Sequence, residues 1–351
     1  MDTDFFVRQA MALPEYDNHA ILECVFDNRG QLRGVIAIHR LRGDKVSIGG
    51  SRCVSYASET DAIRDVLGLS RQMTYKNALA GLPYGGAKGV ILWDDGASEA
   101  REALLKRWCS HINKLEGKFL TSFDAGIEQE DIQIMARETP HVVGLGEDPS
   151  PLTAQGVLVG IEASLGHVFG SEDLAGRSIA IQGIGHVGKP LAQMLVKRGA
   201  IVTVADWHVE KCKNLQQQLP DVKIVAGEEI HQQKVDVFAP CALSYYITPD
   251  RVGQLQCPIV AGAANNQLLN AETAHLLHKR HILHAPDYVI NAGGLICVMD
   301  EYENGGKPDL KRVSARVQQI KKTLRDIFAE SQKTSTPPTV VTEQMARKIV
   351  G

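Results

Sequence analysis

Two lysines stand in the stretch QMTYKNALAGLPYGGAKGVIL, residues 72–92: Lys76 and Lys88, both among small and apolar neighbours. Lysine is ordinarily a surface residue, and burying its charge without a partner is costly. Three chemistries compete for the pair. A phosphate-binding loop requires G-x-x-x-x-G-K-[ST] between a strand and a helix. GLPYGGAK departs from that pattern: Ala87 intervenes before Lys88, Gly89 stands where the hydroxyl belongs, and the apolar strand follows the motif instead of preceding it. The second reading makes both residues surface cations or ion-pair partners. The third is a working pair in a cleft. A lysine in a partly desolvated, glycine-lined site gives up its proton more readily and serves as a general base, while a second lysine strengthens that effect and itself holds a carboxylate.

A second constellation lies in IAIQGIGHVGKPLA. Gly183, Gly185 and Gly188 have G-x-G-x-x-G spacing, after an apolar strand and at the opening of a helix. In that context the first glycine permits a tight turn, the second lets backbone approach a pyrophosphate, and the third lets helix pack on strand. The intervening Ile184, His186 and Val187 belong to the same phosphate-facing loop, and the helix N-terminus adds its positive dipole end. The next strand, AIVTVAD, ends at Asp206, 23 residues beyond Gly183. A carboxylate there accepts from ribose hydroxyls and repels a 2′-phosphate, which predicts NAD in preference to NADP.

The elements that must position these residues fall into two halves of a 351-residue chain, a length comfortable for two domains. In the first half, residues 20–40 read as two strands joined by the turn DNRG. Residues 58–76 read as a helix capped by Ser58, GVILW as a buried strand, 99–116 as a helix, and KFLTSFDAG as a strand ending in a loop. After GEDPSP, residues 146–151, a long helix of small residues precedes a βαβ rhythm. DVFAP, PIVAGAAN and HILHAPDYVINAGG read as further strands, followed by a helix near 309–332 and a last short one. The expected architecture is α/β. A mixed N-terminal substrate-binding and oligomerisation domain (1–148) is joined to a doubly wound Rossmann-type domain (149–325), with a cleft between them. Residues 326–351 are expected to pack back on the first domain.

Charge and composition narrow the partners. A net charge of −3 gives no electrostatic footprint for nucleic acid. No apolar run reaches the roughly 20 residues that span a bilayer, and MDTDFFVRQA lacks the apolar region of a secretory signal. Seven scattered cysteines, none in a CxxC pair, read as reduced thiols in a cytoplasmic protein. His275, His278, His281 and His284 drift about 60° per step on a helix, so they cannot share one face as metal ligands, and no metal is expected.

GGSRCVSYASETDAIRDVLGLSRQMTYKNALAGLPYGGAKGVIL resembles the signature region of the glutamate/leucine/phenylalanine/valine dehydrogenases. The likeness continues in order through SFDAGIEQEDIQIM, DPSPLTAQGV, QGIGHVGKPLA, VAGAANNQL and APDYVINAGGLICVMDEY, and leans to the leucine/phenylalanine branch. The resemblance implies that Lys76 binds the substrate α-carboxylate, that Lys88 is the general base, and that Asp124 assists proton transfer. It sets Gly49 and Gly50 beside the substrate, and Thr153 and Asn265 near the nicotinamide and the substrate amino group. Ile48, Ser122, Leu295 and Val298 fall where the side-chain pocket lies, or are ordinary core packing.

The implied reaction is reversible, NAD-dependent oxidative deamination of a hydrophobic L-amino acid of the leucine, valine or isoleucine type, by a homo-oligomer (dimer or octamer). Phenylalanine or tryptophan is the alternative substrate. A non-catalytic NAD-binding regulatory homologue and a 2-hydroxy acid dehydrogenase are the rivals. The latter would pair His with Arg, and no such pair stands out. Three departures bear on substrate identity: Ala87 replaces the last of three glycines, Phe123 stands where the leucine enzymes carry an acidic residue, and Ser122 replaces a small apolar residue.

Overall fold

The computed structural model describes residues 3–42, 46–93 and 100–351, in two compact units: Met1–Gly146 with Ile349–Gly351, and Glu147–Lys348. The division falls inside the proline-rich stretch 146–151. Of the C-terminal segment 326–351, residues 326–348 group with the second unit and 349–351 with the first.

In chain order the first unit holds α1 (Thr3–Met11), β1 (Ile21–Phe26), β2 (Leu32–Ile38), β3 (Ser47–Ile48), β4 (Ser51–Val54) and α2 (Glu59–Leu79). It continues with β5 (Gly85–Leu92), α3 (Arg101–Lys114), β6 (Phe119–Leu120) and α4 (Gln129–Glu138). Residue 99, where the sequence reading begins α3, lies outside the described residues. The sheet runs β1-β2-β5-β3-β6, with β4 also pairing β5. KFLTSFDAG contributes only the two-residue β6 and a bridge from Thr121 to Val142.

Helix α2 starts where Ser58 Oγ accepts from the Asp61 N–H, with Glu59 and Asp61 in the dipole-favoured first turn. Its apolar stripe, Ala62, Ile63, Val66 and Leu67, packs with Val35, Ala37 and Val90 on one face of the sheet. The other face carries Ile36, Ile38, Ala87 and Ile91 against Trp108 and Ile112 of α3.

The second unit holds α5 (Ser150–Phe169), β7 (Ser178–Gln182), α6 (Gly188–Lys197), β8 (Ile201–Ala205), α7 (Val209–Gln218), β9 (Lys223–Ile224) and β10 (Val237–Pro240). There follow α8 (Pro249–Gln254), β11 (Ile259–Val260), α9 (Ala271–Lys279), β12 (Leu283–His284), α10 (Asp287–Ile290), α11 (Gly293–Glu303), α12 (Leu310–Thr334) and α13 (Pro338–Val350). All its strand pairings are parallel, in the order β12-β11-β10-β7-β8-β9. That order is the doubly wound arrangement whose reversal point lies between β7 and β10.

The stretch HILHAPDYVINAGG is not one strand, a correction to its reading: β12 takes only Leu283–His284, the short helix α10 takes Asp287–Ile290, and the last two glycines open α11, with turns between. A short buried apolar run has no period that separates strand from helix. The histidine run divides between α9, a left-handed turn at His281 and the buried His284 of β12. Helix α5 is long and apolar enough by composition to cross a bilayer, contrary to the expectation that no run reaches that length. Leu158, Val159, Ile161 and Leu165 are buried, and α5 packs on α11 and α12, so its apolarity is that of a core helix.

Strand β5 depends on one close approach. A Cβ on Gly86 would lie 1.9 Å from the Thr74 backbone nitrogen of α2, so only glycine lets the helix settle there. At Gly68, in the middle of the same helix, an added Cβ meets no atom of the described residues within 4 Å. The two substitutions should therefore have opposite signs in denaturant unfolding. Gly86→Ala is expected to destabilise by roughly 1–3 kcal/mol or more through overpacking. Gly68→Ala should stabilise by about 0.5–1 kcal/mol through helix propensity. A neutral Gly86→Ala would contradict the packing described.

Candidate active site

Side chains alternate along β5, and the alternation decides what surrounds Lys88. Gly86 and Val90 face α2, so Lys88 between them does too. Ala87 faces the Trp108 side, fully buried in that core. The methyl group that replaces the family's third glycine therefore points away from Lys88 and does not narrow its surroundings.

Lys88 is 5 % exposed, and its ammonium contacts Asp124 Oδ2. Asp124 arrives on the loop after β6, which runs alongside residues 49–53. Gly49 N–H donates to the Leu120 carbonyl at 3.1 Å, Ser51 N–H to Ser122 at 3.0 Å and Cys53 N–H to Ala125 at 2.9 Å. A Cβ on Gly50 would strike the Phe123 carbonyl at 2.5 Å and Asp124 Cβ at 2.9 Å, so the bare glycine backbone admits the loop. Arg52 of β4 then meets Asp124 from behind, its Nε donating to Oδ1 at 2.8 Å. Burial would push the Asp124 carboxyl up, but the Lys88 and Arg52 cations outweigh it and hold the group at about 2. The sequence reading rests the base on desolvation and a second cation. The group in contact with the Lys88 ammonium is a carboxylate.

Lys76 is half-buried in the last turn of α2, on the helix that covers the Lys88 face of β5. Its turn is pinned on both sides. Asn77 Nδ2 donates to the Gly85 carbonyl at 3.0 Å, and Thr74 Oγ1 pairs with His39 Nδ1 at 2.9 Å. His39 also meets Asp17 at 3.2 Å, and its ring lies 4.9 Å from that of His19, which binds Ser70 and the Leu67 carbonyl. Ile48, at 1 % exposed, is core. Ser122 is half-buried and Phe123 exposed.

In the second unit the glycine turn sits at the sheet's reversal point. Gly183 has φ 96° and lies against Ala242 after β10, where a Cβ would approach to 2.4 Å. A Cβ on Gly188 would lie 1.9 Å from the Gly183 carbonyl, while one on Gly185 meets no atom of the described residues within 4 Å. The second glycine thus presents open backbone at the N-terminus of α6, the cradle a pyrophosphate requires. Ile184 is buried, and Gly185 and His186 are exposed.

Asp206 accepts from the Ile184 and His208 N–H groups, both at 2.8 Å, so it holds the turn as well as facing its mouth. A carboxylate has about four acceptor sites, which leaves two for a ligand. Beside it a cavity of about 330 Å³ is lined by Asp206, Trp207, Gly227, Tyr246 and Arg251. The Arg251 guanidinium lies over the Tyr246 ring and donates to the Tyr246 carbonyl at 2.8 Å.

Thr153, in the first turn of α5, adjoins Gly294 of α11, and the half-buried Leu295 and Val298 continue that helix. Asn265 is exposed, its Oδ1 accepting from Asn291 Nδ2 at 2.8 Å. Sequence reasoning missed Arg52 and Asn291. Arg52 follows directly on the glycine pair of SIGGSR, but nothing local announces a partner 72 positions away.

Residues 21–141 match the family model described as the Glu/Leu/Phe/Val dehydrogenase dimerisation domain. Residues 207–348 match the one described as glutamate/leucine/phenylalanine/valine dehydrogenase. The chain is 35 % identical over 342 residues to the leucine dehydrogenase of Thermoactinomyces intermedius, covering 96 % of this chain and 92 % of that one. It is 38 % identical over 331 residues to the valine dehydrogenase of Streptomyces virginiae, covering 92 % and 91 %. Among solved structures, the L-tryptophan dehydrogenase from Nostoc punctiforme aligns with a TM-score of 0.85 at 33 % identity, over 99 % of this chain and 98 % of that one.

The histidine pair that braces the Lys76 turn makes the first unit acid-sensitive. Burial holds His19 down to about 4, and burial with the Arg40 charge holds His39 down to about 3. The unfolded chain takes up these protons near 6.5, so stability is complete above that pH and drains away as pH falls toward 4 and below. Thermal unfolding temperature should drop across that window, and less steeply in His39→Gln. Parallel slopes for the two proteins would remove the histidine as the cause.

Proposed function

The chain belongs to the glutamate/leucine/phenylalanine/valine dehydrogenase family, and on that premise we propose that it oxidatively deaminates a hydrophobic L-amino acid with NAD. The observation that carries the proposal is the Lys88–Asp124 pair, an ammonium and a carboxylate in contact on a glycine-rich strand. The balanced reaction takes L-amino acid, NAD⁺ and water to 2-oxo acid, ammonium, reduced cofactor and a proton. The bound nicotinamide supplies the hydride acceptor.

Lys76 binds the α-carboxylate as a point charge. Lys88 acts as the base in its neutral amine form, after its ammonium proton has been released to solvent. It takes the proton of the water that attacks the iminium carbon, and the ammonium so formed returns a proton as ammonia departs. Asp124, held ionised, orients the Lys88 ammonium and stabilises the cationic imine beside it. Gly185 and the N-terminus of α6 receive the pyrophosphate, and the two free acceptor sites of Asp206 receive the ribose hydroxyls.

The hydrophobic class rests on the positions that the family resemblance assigns to the substrate side chain: Ser122, Leu295 and Val298 carry no cation, and Ile48 is core. A substrate side-chain carboxylate buried without a cation to meet it would be costly. Branched aliphatic substrates come first. An aromatic substrate is the second reading, favoured by Leu295 where the leucine enzymes more often carry valine, and by the likeness to a tryptophan enzyme. One methylene of pocket volume discriminates by only about 1–3 kcal/mol, so specificity is expected to overlap. The match to a dimerisation domain supports a homo-oligomer. Seven free thiols suit a reducing compartment.

Turnover of L-leucine, L-valine, L-isoleucine, L-phenylalanine, L-tryptophan and L-glutamate with NAD and with NADP tests the reading. The expected order of kcat/KM is branched aliphatic, then aromatic, with glutamate last and NAD above NADP. Preference for glutamate would overturn the hydrophobic class, and equal use of both cofactors would overturn the role of Asp206.

A further inference from the structure

Asp124 has a different cation on each oxygen: the Lys88 ammonium on Oδ2, and Arg52 Nε on Oδ1 at 2.8 Å. The same guanidinium sends Nη1 to Asp65 Oδ2 at 2.8 Å, and that oxygen also accepts from the Tyr56 hydroxyl at 2.6 Å. Arg52 lies on β4, Asp65 on α2 and Asp124 on the loop after β6, so one side chain ties three elements together. Their side chains are 26 %, 27 % and 20 % exposed, so the arrangement is neither sealed in the core nor free in solvent.

A guanidinium is planar and points its donors in fixed directions. With Nη1 committed to Asp65, the direction of Nε is set, and with it the plane in which Asp124 meets Lys88. A guanidinium also keeps its proton in proteins. A proton that leaves Lys88 toward Asp124 therefore finds no acceptor beyond it along this line of bonds.

We propose that Arg52 is a positioning residue for the reaction: it keeps Asp124 ionised, fixes the plane in which that carboxylate holds the Lys88 ammonium, and closes the far side of the pair to proton transfer. The proposal rests on the amino acid dehydrogenase reading for its effect on turnover, though not for its effect on Asp124. Tyr56 and Asp65 serve it indirectly. Burial pushes the Tyr56 hydroxyl up, and the Asp65 charge adds to that, so it stays a donor to the carboxylate that anchors Arg52.

The test compares wild type with Arg52→Ala, Arg52→Gln and Arg52→Lys, the last two retaining bulk should the alanine variant lose the fold. In Arg52→Ala, kcat is expected to fall about 10- to 100-fold, the size of losing one charge-assisted hydrogen bond. The acid limb of kcat/KM should move to higher pH. Millimolar guanidinium should restore part of the activity, whereas ethylammonium at equal ionic strength should not, because it lacks the fork. Arg52→Lys should keep the acid limb near that of wild type while kcat stays reduced.

A readout independent of turnover is ¹³Cγ-aspartate NMR, with the Asp124 signal assigned through Asp124→Asn. Its titration midpoint should rise by about one unit or more without the guanidinium. An unmoved midpoint in folded Arg52→Ala or Arg52→Gln overturns the proposal. So does a loss of kcat with an unmoved acid limb and no guanidinium rescue, which would leave Arg52 a tie between elements. A midpoint that moves in a protein whose wild type oxidises no amino acid would instead sink the proposed function and leave the electrostatic role of Arg52 standing.

Discussion

A lysine ammonium and an aspartate carboxylate in contact, one of them almost wholly buried, set the terms for the first unit. Neither charge is tolerable alone in that position, since desolvating an unpaired ion costs far more than any single packing contact returns. The pair can exist only if a strand delivers Lys88 and a separate loop delivers Asp124 to the same place. The glycines answer that geometric demand. Gly86 lets α2 sit on the strand backbone, and Gly50 lets the Asp124 loop close against the segment that carries Arg52. The apolar layers on both faces of the sheet then make the arrangement rigid, through Val66 and Leu67 on one side and Trp108 and Ile112 on the other.

The second unit is built around a different device, a glycine turn at the opening of a helix. Its parallel sheet reverses order between β7 and β10, and the turn at that point is bent by Gly183 and left bare by Gly185. Bare backbone and a helix dipole meet at that turn. Asp206 steadies the turn through Ile184, so the residue expected to select the cofactor also builds the loop that receives it. Substitution at Asp206 therefore disturbs both functions at once, and a change in cofactor preference has to be read together with the integrity of the loop.

Legibility in the sequence followed locality. The glycine fingerprint, the strand after it and the acidic residue ending the next strand are all set within a few residues, and the structure arranges them as the spacing implies. The alternation along β5 was equally local, and it places the Ala87 methyl in the core, removing one reason to doubt the Lys88 side of the strand. Arg52 was illegible because its meaning comes from Asp124 and Asp65, which tertiary pairing supplies and no spacing encodes. HILHAPDYVINAGG misled because a short buried run of apolar residues lacks a readable period. The stripe Val313, Val317, Ile320, Leu324, Ile327 and Phe328 announces that α12 packs on something, but not on what. Its partner is α5, a helix of the second unit.

If Lys88 and Asp124 act as one device, their losses do not multiply. The direct measurement is kcat/KM for Lys88→Met, Asp124→Asn and the double variant, each checked for an intact fold and cofactor binding. The account predicts that the double variant is about as slow as Lys88→Met alone, with most of the Asp124 effect vanishing once the lysine is gone. Losses that combine independently would contradict it, and would make the two residues separate contributors that merely touch.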